Sequence, residues 1–326
     1  MTILVTGAAG FIGAHAARAL LASGYEVIGI DSLNDYYSPR LKQDRLEILK
    51  AKPGFSFQQA DVSSLDAIKA ALSGRKPTKI LHLAAQAGVR YSIENPAAYV
   101  DANLNGHFTM LELARMLEVE NMVYASSSSI YGGNSKIPFA ETDLTDDPVS
   151  FYGATKKSNE LMSQSYARLH GLSLTGLRFF TVYGPWGRPD MAYWIFAEKI
   201  LKGEPIRVFN HGKMSRDFTF IDDIVVGILS ALERPARRFV PETPHRIYNL
   251  GNDNPEPLMD LIGFTEAVIG TEAEKIFEPM QRGDLPKTWA NIDRARSELD
   301  YDPKIGLREG LEQFADWFRS HWTRYC

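Results

Sequence analysis

The first half of the chain alternates short, mostly apolar runs with longer stretches in which apolar residues recur every three or four positions. The runs Ile3–Thr6, Glu26–Ile30, Ser56–Gln59, Lys79–Leu83, Met122–Ala125 and Leu172–Arg178 lack a strict in–out alternation. That is the pattern of strands covered on both faces. Helices are expected between them, near Phe11–Ser23, Asp66–Leu72, Tyr99–Leu117 and Tyr152–His170. The alternation predicts an α/β fold, a doubly wound parallel sheet of the Rossmann type with crossover helices. After Arg178 the texture changes. Residues 181–190 are rich in Gly, Pro and aromatics, and helical and short strand segments follow without regular alternation. Arg246–Leu250 reads as one more buried strand, so the chain is expected to return once to the first sheet. Helices are expected at Leu258–Ile269 and Leu307–Trp322, around a loop at Phe277–Ile292. On the last of these, Leu311, Phe314, Trp317 and Phe318 read as core packing. The expected division is a Rossmann domain over 1–180, rejoined by about 217–252, and a smaller α/β C-terminal domain built from 181–216 and 253–326.

Composition narrows the function without naming it. At 326 residues the chain can bury a sizeable core, and 44% hydrophobic with 23% charged residues is ordinary for a globular protein. A net charge of -4 with no basic cluster gives no electrostatic case for nucleic acid. The single cysteine, Cys326, excludes a disulfide framework or cysteine metal site within one chain and fits a reducing cytoplasm. No metal site is expected. The N-terminus lacks the parts of a signal peptide, and no stretch approaches a membrane span.

Ile3-Leu4-Val5-Thr6 leads into Gly7-Ala8-Ala9-Gly10-Phe11-Ile12-Gly13 and then an Ala/Leu-rich helix. Strand, glycine turn and helix in that order give the motif its meaning. The backbone must turn tightly, admit a pyrophosphate and aim helix N-terminal amides at it. Asp31 ends the second strand, where a carboxylate can accept from both adenosine ribose hydroxyls and would repel a 2′-phosphate. This favours NAD over NADP.

A second constellation lies downstream. Tyr152-Gly-Ala-Thr-Lys156 places a phenol and an ammonium four residues apart on one helix face. The spacing alone is weak; the preceding strand end, Ser126-Ser127-Ser128-Ser129, lifts it. A free tyrosine is too weakly acidic to act as a base at neutral pH. A nearby Lys156 ammonium and the positive nicotinamide are expected to lower it, so that Tyr152 can take a hydroxyl proton while Ser127 orients the same oxygen.

With the spacing G-x-x-G-x-x-G, the sequence resembles the extended branch of the short-chain dehydrogenase/reductase superfamily, and the likeness runs from Thr2 to about Asp316. Its most specific segments resemble UDP-glucuronate 4-epimerases: Asp35-Tyr-Tyr-Ser-Pro, Ala85-Gln-Ala-Gly-Val-Arg-Tyr-Ser92, Arg178 to Ala192, Phe209 to Thr219, and Pro279-Met-Gln-Arg-Gly-Asp284. The resemblance implies an NAD-dependent isomerase acting on a UDP-sugar, with Ser127, Tyr152 and Lys156 catalytic. Implied cofactor contacts are Gly7, Gly10, Phe11, Ile12, Gly13, Asp31, Asn34, Asp61, Val62, Leu83, Ala84, Ala85, Asn103, Tyr152 and Lys156. Asn103 would hold a structural water or face the nicotinamide end. Implied substrate contacts are Phe209, Arg216, Gln281 and Asp284 at the nucleotide, with Ser127, Ser128, Ser129 and Thr181 at the sugar. Arg90 and Arg188 would balance a sugar carboxylate, or instead be a solvated loop residue and a structural ion pair. Related decarboxylases carry a glutamate where Ser129 stands, which favours epimerisation without loss of carbon dioxide. Arg282 departs from the family's proline. A homodimer is implied, paired through the helices at Tyr99–Leu117 and Tyr152–His170. Neutral UDP-hexose epimerisation, uronate decarboxylation, dehydration and a non-catalytic NAD-dependent sensor stay open as alternatives.

Overall fold

The computed structural model describes residues 1–281 and 283–325; Arg282 and Cys326 lie outside the described residues. In chain order the strands are β1 (Thr2–Thr6), β2 (Glu26–Asp31), β3 (Phe55–Gln59), β4 (Lys79–His82), β5 (Asn121–Ser127), β6 (Leu174–Phe179), β7 (Thr181–Tyr183), β8 (Ile206–Val208), β9 (Ser215–Phe220), β10 (His245–Leu250), β11 (Pro255–Pro257) and β12 (Lys275–Phe277). Seven of them form one sheet in the order β10-β6-β5-β4-β1-β2-β3, with every pairing parallel. The expected return to the first sheet is therefore β10, which pairs with β6 from His245↔Leu174 to Leu250↔Phe179. A three-stranded sheet, β11-β9-β7, and a pair, β12-β8, complete the architecture.

Burial explains the missing in–out alternation. On β1, Ile3 and Val5 join one core cluster and Leu4 joins the other, and all three are fully buried. The first cluster takes in the helices Phe11–Ala22, Pro39–Lys50 and Ile221–Glu233, through Ala16, Ala17, Leu20, Leu46, Leu49, Ile224 and Ile228. The second takes in Leu65–Leu72, Gly106–Leu117 and Phe151–His170 through Ile68, Met110, Leu111, Leu113 and Ala167. With both faces covered, neither side of a strand can be polar. Leu311, Phe314 and Phe318 are buried, and Trp317 packs on Trp186 and Trp194 at 5.1 and 5.3 Å.

Local chemistry sets the helix that matters most. Ser150 accepts a hydrogen bond from the Gly153 amide at 3.0 Å and so caps Phe151–His170. Gly171, at φ +64, ends it, with Arg168 and His170 in the last turn. The helix expected over Tyr99–Leu117 is present but widened by a π turn. A short helix, Pro96–Tyr99, runs into a wide π turn, Val100–Asn105, and only then into Gly106–Leu117. The π turn lets the Asn103 side chain reach inward, and Gly106 leaves room for Val62, whose Cγ2 would lie 2.8 Å from an added Cβ. Among the described residues no helix is long and apolar enough to cross a membrane.

Three buried imidazoles, His15, His82 and His107, and a half-buried one, His245, are expected to weaken the fold in acid. Burial lowers His15 and His245 from 6.5 to about 4 and His82 to about 3, and it lowers His107 well below the ordinary value. Below pH 6.5 the unfolded chain binds protons that these rings refuse. Their stabilisation is therefore present above that pH and lost as pH falls towards the folded values. For His15 alone the displacement corresponds to about 3 kcal/mol. Asp217, raised by burial to about 7, acts in the opposite sense, so the comparison needs a variant. His15→Gln should lose less melting temperature than the parent between about pH 7 and about pH 4.5. Equal losses in thermal denaturation would show that His15 carries none of the effect.

Candidate active site

The glycine turn sits where β1 meets β2 on one side and β4 on the other, the point at which strand order reverses. Gly7 adopts φ +71, and a Cβ there would lie 2.8 Å from the Ala84 amide nitrogen. A Cβ on Gly13 would come within 2.0 Å of the Gly7 carbonyl oxygen. Helix Phe11–Ala22 then begins at Gly10 with no side-chain cap and no acidic residue in its first turn. Its amide end is thus free for an anion. Asp31 accepts from the Ala9 amide at 3.1 Å and the Leu33 amide at 2.8 Å, which leaves each carboxylate oxygen further acceptor capacity. These residues fit NAD.

The turn opens into one continuous cleft of about 1330 Å³. That exceeds an ordinary small-molecule pocket and suits a dinucleotide together with a second nucleotide. Every expected cofactor contact lines it except Asn103: Gly7, Gly10, Phe11, Ile12, Gly13, Asp31, Asn34, Asp61, Val62, Leu83, Ala84, Ala85, Tyr152 and Lys156. Asn103 does not line the cleft. It is 1% exposed and behind the cleft wall, where its side chain accepts from the Gln86 amide at 2.9 Å. Its amide group donates to the Gln86 carbonyl and to Thr155 Oγ1, both at 3.0 Å. The asparagine thus fastens the end of β4 to the helix carrying Tyr152, its polar groups already satisfied.

Ser127 closes β5 and accepts from the Ser129 amide at 3.1 Å, which caps the turn Ser128–Tyr131. Behind it, Ser126 donates to Glu160 at 2.7 Å, and Glu160 holds Arg178 in a buried two-point pair at 2.9 and 2.8 Å. Helix Phe151–His170 approaches this turn closely, because Gly153 has no Cβ to meet the Ser129 carbonyl. Tyr152 and Ser127 are thereby brought to the same stretch of the cleft wall, where the serine hydroxyl lowers the phenol.

The electrostatics add to the expectation. Burial pushes the Tyr152 phenol up, while the Ser127 hydroxyl and the Arg188 guanidinium pull it down. Arg188 is thus a cation beside this phenol in addition to Lys156, one turn along the same helix. Lys156 lies 3% exposed, donates to the Ala125 carbonyl at 2.9 Å, and is itself lowered to about 8 by burial. Arg188 is paired with Asp190, Nε to Oδ1 at 2.9 Å, and Tyr36 donates to the same carboxylate at 3.1 Å.

The substrate set divides in two. Ser127, Ser128, Ser129, Thr181 and Arg188 line the cleft with Tyr152, while Arg90, Phe209, Arg216, Gln281 and Asp284 line it at the C-terminal side. Arg90 pairs with Asp284 at 3.3 Å and lies over the Phe209 ring at 4.9 Å. Asp284 and Arg90 also enter the charge environment of Arg216, which burial lowers. Arg90 therefore stands with Phe209 and Asp284.

Sequence reasoning gave no role to Lys42 and Arg207, though both line the cleft. Lys42 donates to Asn34 at 2.6 and 2.7 Å, and Arg207 lies over the Phe209 ring at 5.1 Å. The signal for Lys42 was the Asp35-Tyr-Tyr-Ser-Pro segment, which starts its helix. Among the described residues no group of three or more His, Cys, Asp or Glu could hold a metal ion.

Comparison with known proteins agrees with this geometry. The model of the NAD dependent epimerase/dehydratase family matches residues 3–251. UDP-glucuronate 4-epimerase 4 of Arabidopsis thaliana is 46% identical over 99% of this chain and 76% of its own length. A probable UDP-glucuronate 4-epimerase of Rhizobium meliloti is 44% identical over 99% of this chain and 98% of its own. The solved UDP-glucuronic acid 4-epimerase of Bacillus cereus, in complex with UDP-glucuronic acid and NAD, has a TM-score of 0.91. It is 34% identical over 98% of this chain and 99% of that one. A glycine turn, a serine and a phenol lining one cleft, and these relatives lead to one conclusion: the chain belongs to the NAD dependent epimerase/dehydratase family.

Proposed function

We propose that this protein is a UDP-glucuronate 4-epimerase, an isomerase that converts UDP-glucuronate to UDP-galacturonate through a 4-keto sugar. The observation that carries the reading is the Ser127–Tyr152 pair, set in the dinucleotide cleft with the hydroxyl residues Ser128, Ser129 and Thr181 and the Arg188 guanidinium. The relatives named for the same reaction support it.

In the mechanism, the glycine turn and Asp31, Asn34, Asp61 and Val62 would hold the adenosine and diphosphate of NAD, and Leu83–Ala85, Tyr152 and Lys156 would line its nicotinamide end. Bound NAD supplies a hydride acceptor that returns what it takes, so net redox is zero and no second redox substrate is needed. Tyr152 Oη takes the proton of the sugar 4-hydroxyl, and the Ser127 hydroxyl orients that oxygen. Ser127 and Arg188 favour a phenolate there. Arg216, Phe209, Gln281 and Asp284 grip the nucleotide while the sugar ring is held loosely enough to turn about its diphosphate link. Tyr152 then returns the proton to the oxygen on the other face. A 4-keto uronate is a β-keto acid; hydroxyls at Ser128, Ser129 and Thr181 hold its carboxylate without a general acid that would drive decarboxylation.

We also read the chain as a cytoplasmic homodimer. Phe108 and Met116 on helix Gly106–Leu117 are 51% and 47% exposed, and Leu161 and Leu169 on Phe151–His170 are 60% and 72% exposed. Such an apolar row on adjacent helices supports burial against a second copy. The single cysteine supports the compartment. The division into a dinucleotide domain, 1–180 with about 217–252, and a UDP-sugar domain, 181–216 with 253–326, belongs to the same reading.

Purified protein, with no added NAD, should convert UDP-glucuronate to UDP-galacturonate, followed by proton NMR. UDP-glucose, tested separately, should give little UDP-galactose. Equal conversion of the neutral sugar would overturn the uronate assignment, and a UDP-pentose product would make the protein a decarboxylase.

A further inference from the structure

Arg45, on helix Pro39–Lys50, is 1% exposed, yet among the described residues it has no ion-pair partner. A buried guanidinium needs other compensation. It finds it in five hydrogen bonds. Nε and Nη2 donate to the Trp186 carbonyl at 3.1 and 2.6 Å, Nη2 to the Gly187 carbonyl at 2.8 Å, and Nη1 to the Ala9 carbonyl at 3.0 Å and Tyr37 Oη at 2.7 Å. A rigid planar fork fixes such acceptors in angle as well as distance, which a lysine cannot do.

The two segments it joins are functional ones. Ala9 belongs to the glycine turn, where Asp31 holds its amide and Arg45 holds its carbonyl. Trp186 and Gly187 immediately precede Arg188. Trp186 adopts φ +60, a left-handed conformation uncommon for a bulky residue. Gly187 is pressed so tightly that a Cβ would lie 1.8 Å from the Tyr193 hydroxyl. The loop is thus held against its own backbone preference, and the bonds to the Trp186 carbonyl are what Arg45 contributes to holding it.

We propose that Arg45 is a positioning residue for the reaction: by clamping Trp186 and Gly187 to the glycine turn, it sets where the Arg188 guanidinium stands relative to Tyr152. The inference rests on the reading of Tyr152 as the base. Tyr152 shares the cleft with Ser127 from the end of β5 and Arg188 from the clamped loop, and its ring lies 5.9 Å from the Tyr99 ring. The Tyr99 hydroxyl and Arg188 Nη2 converge on one point, 3.6 and 3.9 Å from where a Gly88 Cβ would stand. Lys156 sits one turn along the Tyr152 helix, and Asp190, which accepts from Tyr36, pairs with Arg188. Of these, the clamp addresses Arg188 alone. Without it Trp186 relaxes, Arg188 moves with it, and the phenol loses a cation that opposes its burial.

The test is Arg45→Lys, which keeps the charge and removes the fork. Phenolate absorbance in the near ultraviolet is titrated on the purified protein, as the difference between each protein and the same protein carrying Tyr152→Phe, since the chain has 14 tyrosines. The Tyr152 midpoint should rise by about one unit, and kcat on UDP-glucuronate below that midpoint should fall roughly tenfold with KM little changed. In an Arg188→Gln background the same substitution should add no further shift. A midpoint that stays put while only the melting temperature falls would overturn the proposal, as would an undiminished shift without Arg188. Should Arg45→Lys fail to fold, Tyr37→Phe removes one of the five bonds and should move the midpoint less, in the same direction; no movement overturns the proposal equally. A parent with no epimerase turnover would sink the functional reading instead and leave the absorbance test standing.

Discussion

Tyr152→Phe should lose roughly 10²–10⁴-fold of turnover while UDP-glucuronate still binds. The phenol shares the cleft wall with Ser127, and its ring edge packs on Tyr99. Removing one oxygen leaves that packing in place, so the loss reads chemistry rather than folding. In the parent, burial raises the phenol above its ordinary value, so the rate at fixed substrate should climb with pH as the phenolate forms. Single-turnover kinetics, paired with calorimetric binding of UDP-glucuronate, separate the two effects. A variant with most of its rate intact would remove Tyr152 from the base role.

Gly13→Ala should be as damaging by a different route. The added methyl would stand 2.0 Å from the Gly7 carbonyl oxygen and 2.8 Å from its carbon, both backbone atoms that cannot swing aside. The turn must open or the helix must retreat, and either removes the amide cradle for the diphosphate. A cost of about 3 kcal/mol is expected, at the upper end of overpacking, with NAD lost on purification. Gly263 is the control: mid-helix in Leu258–Ile269, with nothing within 4 Å of an added Cβ. Gly263→Ala should be neutral or more stable by about 0.5–1 kcal/mol. Bound NAD, measured by absorbance after denaturation, should vanish in the first variant and persist in the second. Retention in both would mean that the turn tolerates what its geometry forbids.

The sheet was readable because doubly covered strands leave an uninterrupted apolar signature, and even β10 showed it at Arg246–Leu250. The helix expected over Tyr99–Leu117 was not readable in detail. A π turn needs no special residue; its reason, the reach of Asn103 to Gln86 and Thr155, is a tertiary contact. The same applies to the charge around Tyr152. Four-residue spacing pointed to Lys156 and gave no sign of Arg188, which arrives from a segment 36 positions away in sequence. The partners of Arg90 were hidden for a related reason: Phe209 and Asp284 come from segments more than 100 residues downstream. Motifs locate residues along the chain, and only the fold decides which of them meet.

The outermost strand of the large sheet is contributed by residues 245–250, after the chain has already built its other two sheets' β7, β8 and β9. A fragment ending near residue 180 would leave β6 with a bare rim of unpaired amides and carbonyls, a template for aggregation. The nucleotide-cradling half is therefore not a portable module that can be excised or fused by its own first stretch. Folding of that half must wait for the late segment to be synthesised and to dock, so a ribosome-bound chain of intermediate length carries an open seam.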